Sequence, residues 1–447
     1  MKAVPHAIIC ESCDAVCQRV PLREHEIARC PRCGVELDRH AGLQLVRILP
    51  LTVASLIVFA IANLFAIVEI EVRGLRSATT LVGAVIALAG DGRSLLALLV
   101  LATTLLLPLL HLLILLWLLV PLRWGRGSRA AGFAPLVRAM QALRPWGMID
   151  IFLLGVLVAI IKLSSMATVL PGPALWAFMA LTVLLTMVTA FDPRRLWEMV
   201  GGIDGGSEAA VGNVAKAASM VDPIASSDPG SLSGCRHCAA VWEGALEGQP
   251  CARCGTPIQA RKTNSLNRTW AYLITACVLY VPANLLPVMV TRTLFGTQSD
   301  TIVGGVIYFW IGGAYGLAAI VFVASFLVPL FKLVALFMLV LLAQRRSNWR
   351  RSERARLYHV IELLGRWSML DVFVVVLLVG LVQIQGFAEI SAGIGIVAFG
   401  AVVVLTMLAS LSFDPKLSWD GRAGADDDDH EHEIIPDASG PPNETLA

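Results

Sequence analysis

The chain runs to 447 residues, 57% of them hydrophobic and 15% charged, with a mean hydropathy of +0.73. Soluble domains carry roughly a quarter charged residues, so this balance excludes an ordinary soluble protein and indicates a polytopic membrane protein. The formal net charge of +2 says little by itself, and no nucleic-acid partner is expected.

The N-terminus, MKAVPHAIICESC, runs into cysteines rather than into an apolar stretch, so no cleavable signal peptide is expected. Residues 1–40 form a first small module around Cys10-x2-Cys13 and Cys30-Pro-Arg-Cys33-Gly. Two CxxC knuckles joined by a short loop place four thiolates tetrahedrally, which suits structural zinc; rubredoxin-like iron uses the same ligand set. Gly34 allows the tight turn that the second knuckle needs. Residues 41–197 then carry four apolar spans, near 47–70, 94–121, 147–170 and 174–191. Asn63 in the first reads as a helix-kink residue with an inter-helix hydrogen bond, or as part of a substrate path. His111, Asp150 and Thr186 are the polar residues to note in the other three. Only Pro171-Gly172-Pro173 separates the third span from the fourth, which reads as a tight hairpin.

Residues 198–234, rich in Gly, Ala, Ser and Asp, read as a flexible linker. A second module follows at 235–260, with Cys235, Cys238, Cys251 and Cys254 in the same knuckles and Gly255 after the last. Residues 261–419 hold spans near 268–290, 314–342, 368–386 and 393–413. Asn284 repeats the position of Asn63, with Pro282 and Pro287 flanking it as candidate kink residues. The tail, 420–447, contains DDDDHEHE and reads as acidic, solvated and disordered, with His430 and His432 in solvent rather than on a metal. Cys17 and Cys277 fall outside the knuckles and read as packing residues.

A shift of 221 residues superimposes Arg47 on Arg268, Asn63 on Asn284, Pro108 on Pro329, Trp146 on Trp367 and Asp150 on Asp371. The expected fold is therefore all-α: two parallel repeats of a four-helix transmembrane bundle, each preceded by a small cytoplasmic zinc ribbon. Arginines cluster after the second and sixth spans, so the positive-inside rule puts both termini and both modules in the cytoplasm. Reduced, metal-binding CxxC pairs agree with that side.

The costly residue is Lys332, in the otherwise apolar run SFLVPLFKLVALFMLVLLAQRR. It lies roughly 15 Å from the cytoplasmic end at 1.5 Å per residue. Asp371 and Thr406 fall at a similar level, and pairing among the three would remove the cost of a lone charge. His111, Asp150 and Thr186 occupy the matching positions of the first half, and histidine titrates near neutral pH. The network fits a proton-linked switch, and it equally fits a brace between helices. The sequence carries no GxxxxGK[ST], HExxH or GxSxG motif and no cofactor motif, so enzyme activity is not expected.

The duplicated ribbon plus four spans, with ANLF/ANLL, LPLLH/VPLFK, MIDIF/MLDVF and FDP at Phe191 and Phe413, resembles the paraquat-inducible protein A family. The resemblance runs from Cys10 to about Trp419. It implies a Gram-negative inner-membrane protein that works with a periplasmic MCE-domain tunnel protein to move membrane lipids between membranes. It also implies bundles like tetraspanin-type four-helix folds and a functional Lys–Asp–Thr network, to which Lys332, Asp371 and Thr406 correspond; His111 is the first half's departure. Two other readings stay open: a scaffold that anchors its partner while lipid moves passively, and a redox protein with iron in the ribbons.

Overall fold

The computed structural model describes residues 2–19, 22, 26–39, 42–72, 75–90, 94–124, 132–164, 168–197, 232–293, 296–313, 315–345, 353, 357–358, 360–361, 373–374, 383–384 and 388–419. The linker at 198–231, the acidic tail and most of the expected seventh span, Asp371 included, lie outside the described residues.

Among the described residues, five helical stretches are long and apolar enough to cross a membrane: Arg47–Leu64, Ser94–Trp124, Phe133–Ile160, Ser325–Gln344 and Ile394–Ser412. The third is not one helix. It joins α5 (Phe133–Leu143), a 3-10 turn and α6 (Ile149–Ser164), with Gly147 extended between them. Leu81–Gly90 and Pro173–Thr189 are apolar but shorter.

In the first half, α1 (Gly42–Leu64) leads into strands β6 (Val68–Val72) and β7 (Leu75–Thr79). Then come α2 (Leu81–Gly90), α3 (Ser94–Leu101), a π turn at Ala102–Leu106 and α4 (Leu107–Trp124). After α5 and α6, strand β8 (Thr168–Pro171) precedes α7 (Pro173–Thr189). The second half shows the same order: α8 (Ser265–Leu285), β11 (Met289–Thr293), β12 (Gly296–Asp300), α9 (Ile302–Ile311), α10 (Tyr315–Phe322), a π turn at Val323–Leu327 and α11 (Val328–Gln344). It ends with β13 (Gln383–Ile384), β14 (Ala388–Ala392) and α12 (Ile394–Ser412).

The apolar runs therefore overstate the helices. The spans expected to reach 70 and 290 stop as helices at Leu64 and Leu285, and antiparallel strands begin at Val68 and Met289; the span expected to reach 170 is already a strand from Thr168. Strand order is β7-β6-β8 in one sheet and β12-β11-β14-β13 in the other. Each sheet forces a close approach. A Cβ on Gly172 would meet Ala66 O at 2.2 Å, and one on Gly393 would meet Pro287 O at 2.0 Å, so only glycine fits. Pro287 itself lies two residues beyond the end of α8 and is no helix kink; its carbonyl accepts from Gly395 N at 2.9 Å.

Both π turns end two residues before a proline, Pro108 and Pro329. Proline lacks an N–H and crowds the preceding turn, and the wider π turn absorbs both effects inside a continuous helix. Polar side chains within the helices bond their own backbone, as Thr52 Oγ1 does to Ile48 O at 2.7 Å and Thr104 Oγ1 to Val100 O at 2.7 Å. That satisfies them without water.

At the sheet end one apolar cluster joins the halves. Phe152 meets Phe178 at 5.3 Å and Phe373 at 5.8 Å between ring centroids, and a Cβ on Gly400 of α12 would touch Leu96 of α3 at 3.4 Å.

The opposite end carries the cysteine modules. In the first, β2 (Ala7–Ile9) pairs with β3 (Val16–Gln18) and β4 (Ile27–Arg29) with β5 (Glu36–Arg39). In the second, β9 (Leu232–Gly234) pairs with β10 (Val241–Glu243), and β1 (Lys2–Ala3) adds to the far edge of β10. The modules do not simply head their own halves. Cys235, Cys238, Cys251 and Cys254 of the second share a core with Phe133, Val137 and Met140 of α5 and with Trp197, all in the first half. The first module packs on Trp419, at the end of the second half, where the Arg32 guanidinium lies 4.8 Å over the indole.

Candidate functional site

Four knuckles share one backbone device. The amide just past each knuckle's second cysteine folds back on the first: Asp14 N to Cys10 O, Gly34 N to Cys30 O, Ala239 N to Cys235 O and Gly255 N to Cys251 O, at 2.8–3.0 Å. All four donors have positive φ, 60°, 74°, 56° and 73°. Gly34 and Gly255 take this at no cost, as the sequence suggested, while Asp14 and Ala239 do so with a Cβ.

The knuckles bring the expected ligands together. Cys10 and Cys33 Sγ lie 3.5 Å apart, Cys13 and Cys30 3.5 Å, Cys235 and Cys254 3.4 Å, and Cys238 and Cys251 3.7 Å. Both groups are buried, with all sulfurs within 4.8 Å of one another. A metal about 2.3 Å from four tetrahedral sulfurs needs edges of roughly 3.8 Å, so both sites fit a metal ion. Such an ion would supply folding energy to modules too small for a core of their own.

The modules differ around the sulfurs. Cys17 is buried beside the first set, and burial followed by the neighbouring thiols pushes its thiol up to about 12. It stays protonated and packs. The second set has Thr256, whose hydroxyl lies 2.8 Å from Cys254 Sγ and 3.5 Å from Cys235 Sγ. Cys277 is exposed on α8 and is not the packing residue expected from the sequence.

Charged pairs lock the modules to both halves, and sequence reading missed them. Glu11 pairs with Arg194, Asp38 with Arg195 at 3.2 Å, and Asp14 with both Arg261 and Lys416. From the second module, Arg236 reaches Asp414 at 2.7 Å, while His237 O accepts from Gln141 at 2.9 Å. Asp414, buried after α12, also accepts from Lys262 N at 2.8 Å and Lys416 N at 3.2 Å. Burial would raise its carboxyl; the Lys262 amide and Arg236 outweigh that and hold it below the usual carboxylate range. The available signal was the FDP repeated at Phe191 and Phe413. Asp192 likewise accepts from Arg194 N at 3.0 Å.

The intramembrane residues separate by half. His111, Asp150 and Thr186 line one cavity of about 200 Å³, together with Arg144, Thr182 and Thr189. The first half thus brings its predicted trio to one space. Thr186 Oγ1 donates to Thr182 O at 2.7 Å, and Arg144, just past α5, donates to Thr189 O at 2.7 Å. In the second half Lys332 is fully buried on α11, one turn past the π turn, and its Nζ has no hydrogen-bond partner among the described residues. Thr406 is buried on α12 and donates to Val403 O at 2.9 Å rather than to Lys332. Asn63 and Asn284 make no inter-helix bond through their amides among the described residues. Each Nδ2 donates within its own helix, to Phe59 O and Tyr280 O at 2.8 Å, and each buried Oδ1 is left without a partner among the described residues.

The family model described as paraquat-inducible protein A matches residues 45–201 and again 266–422. The chain belongs to this family. It is 34% identical over 420 residues to the intermembrane transport protein PqiA of Escherichia coli K12, covering 92% of this chain and 95% of that one. It is 28% identical over 423 residues to the lipophilic envelope-spanning tunnel protein A of the same strain, covering 94% and 93%. A probable intermembrane transport protein of Haemophilus influenzae is 28% identical over 420 residues, covering 92% and 95%. No solved structure matches the chain.

Proposed function

We propose that this chain is the inner-membrane subunit of a lipid transport system and not an enzyme. It moves lipids between the inner membrane and a periplasmic tunnel protein built from MCE domains. The observation that carries this reading is similarity over more than nine-tenths of the chain to relatives named for intermembrane transport and for an envelope-spanning tunnel.

In this reading the chain crosses the membrane eight times, as two parallel repeats of a four-helix bundle. Both termini and both modules face the cytoplasm and the two small sheets face the periplasm. Support comes from the matched pairs: the two π turns, the two close-packed glycines and the double family match. Zinc fills both four-cysteine sites. Four thiolates leave no open position, so the metal braces rather than catalyses. Iron would show as visible absorbance, and a colourless protein with two zinc ions per chain excludes the redox reading.

Lys332, Asp371 and Thr406 form the control point. A buried ammonium without a partner is costly, and Asp371 is the carboxylate placed by the repeat to meet it. A protonated Asp371 no longer pairs with Lys332, so the pair is a two-state element that a proton gradient can bias. Purified with its MCE partner and reconstituted with labelled lipid, the wild type should transfer lipid while Asp371→Asn and Lys332→Ala should not. Equal transfer by all three would favour the second reading, a non-transporting scaffold that anchors the partner. The interlocked modules favour that reading, because pairs such as Asp14–Lys416 fasten the first module to the second half.

A further inference from the structure

The cavity around His111 lies near a second cavity on the module side of the molecule. The other, of about 520 Å³, lies between the two cysteine modules and the end of the first half. One residue lines both: Arg144. Its guanidinium is held by Thr189 O at the end of α7, so it stands at the junction of the two spaces.

We infer that the first half holds a proton-accepting site reached from the cytoplasm: His111 is the acceptor, and Arg144 gates the path that enters between the two modules. The direction of access rests on the topology proposed above. His111 is 8% exposed, and its ring has no hydrogen-bond partner among the described residues. What it meets is a cavity of about 200 Å³ with a mixed lining, in which Arg144, Asp150 and the hydroxyl oxygens of Thr182, Thr186 and Thr189 are the polar groups a water could bond. Two charged groups face that space. They are Arg144, from the α5–α6 connection, and Asp150, in the first turn of α6. α4 and α7 add no other titratable group to the lining. Asp150 makes no ion pair among the described residues, so its charge is available to a protonated His111. In the transfer itself a hydronium O–H breaks, the proton bonds a ring nitrogen and water is left behind. The second half offers no such route among the described residues: Lys332 is fully buried and lines neither cavity.

The test uses the full-length chain in oriented membrane vesicles. His111→Cys is treated with a membrane-impermeant maleimide and scored peptide by peptide by mass spectrometry, so the metal-bound thiols do not interfere. The control is Leu118→Cys, fully buried on the same helix and two turns nearer the modules. If depth governed access, Leu118→Cys would react faster. The path predicts instead that His111→Cys reacts roughly tenfold faster in inside-out vesicles, because thiol reactivity follows access. Adding Arg144→Ala should raise that rate again. Labelling no faster than the control, labelling from right-side-out vesicles, or no gain with Arg144→Ala would overturn the proposal. Should His111→Cys fail to fold, the unmutated chain serves. With ¹³Cε1-labelled histidine in nanodiscs, the resonance that His111→Gln removes must titrate between about pH 5 and 8. A resonance that does not move overturns the site. Neither readout involves lipid, so a chain that fails here yet transfers lipid sinks only this path. A chain that passes here and transfers none sinks only the transport reading.

Discussion

The two halves share their frame and differ in what they put inside it. Both place a π turn before a proline, a basic residue one turn later and a glycine pressed against a carbonyl. In the first half the basic residue is His111, beside a cavity; in the second it is Lys332, sealed in packing. The modules show the same contrast. Their knuckle hydrogen bonds match, yet one has Cys17 against its sulfurs and the other Thr256. Features set by backbone sterics or by a metal's geometry repeat, because one solution serves both copies. Side chains that decide solvent access and docking have diverged.

Removing a metal ligand breaks this comparison hardest. Structural zinc in small modules is worth about 10–16 kcal/mol, so Cys251→Ser should halve the metal content measured by elemental analysis. Because the second module packs on the first half, hydrogen exchange should rise in α5 and around Trp197 before it rises in α8. The reverse order would mean that each module serves the half it precedes.

Gly172→Ala and Gly393→Ala come next. Each places a methyl about 2 Å from a carbonyl oxygen, an overlap relieved only by moving backbone, at about 3 kcal/mol or more. Thermal unfolding in detergent should report similar losses for both, and a tolerant member of the pair would show that the two sheets are not equivalent.

Asp414→Ala should cost about 2 kcal/mol, since it strands the Arg236 guanidinium and the Lys262 amide at a partly exposed interface. Asp192→Ala, whose carboxylate caps only Arg194 N among these contacts, should cost less. The pH dependence has a fixed sign. The Asp414 carboxyl lies below its ordinary value, so its contribution is present above about pH 4 and is lost as pH falls through the folded value. Asp414→Ala should flatten the acid limb of stability against pH.

The smallest effect belongs to Thr256→Val, which gives the second site the residue found at Val35 of the first. Loss of the hydroxyl beside Cys254 should weaken metal binding by about tenfold in a chelator competition. Metal release from the two sites should then converge.

Much of this was legible before the structure. Cysteine spacing marked both metal sites, and one constant offset linked Pro108 to Pro329 and His111 to Lys332. The strands were hidden because VEIEV at 68–72 continues an apolar run, and hydropathy does not mark where a helix hands over to a sheet. Pro287 misled for a related reason: a proline near an apolar run suggests a kink, whereas here it lies beyond the helix. The crossed docking of the modules was out of reach, because Asp14 with Lys416 and His237 with Gln141 are long-range pairs between common polar residue types. Arg144 read only as one of several arginines marking a membrane side; its place between two cavities is a product of packing.

Strand β1 sets an order of assembly. Lys2 and Ala3 are synthesised well before their partners Glu243 and Trp242, which come more than two hundred residues later, and Asp14 waits longer still for Lys416. Strand β1 can therefore pair only after the second cysteine module exists. A tag fused just before Lys2 would compete with that closing strand. Versions of the chain tagged at each end should differ accordingly in yield of the fully assembled protein.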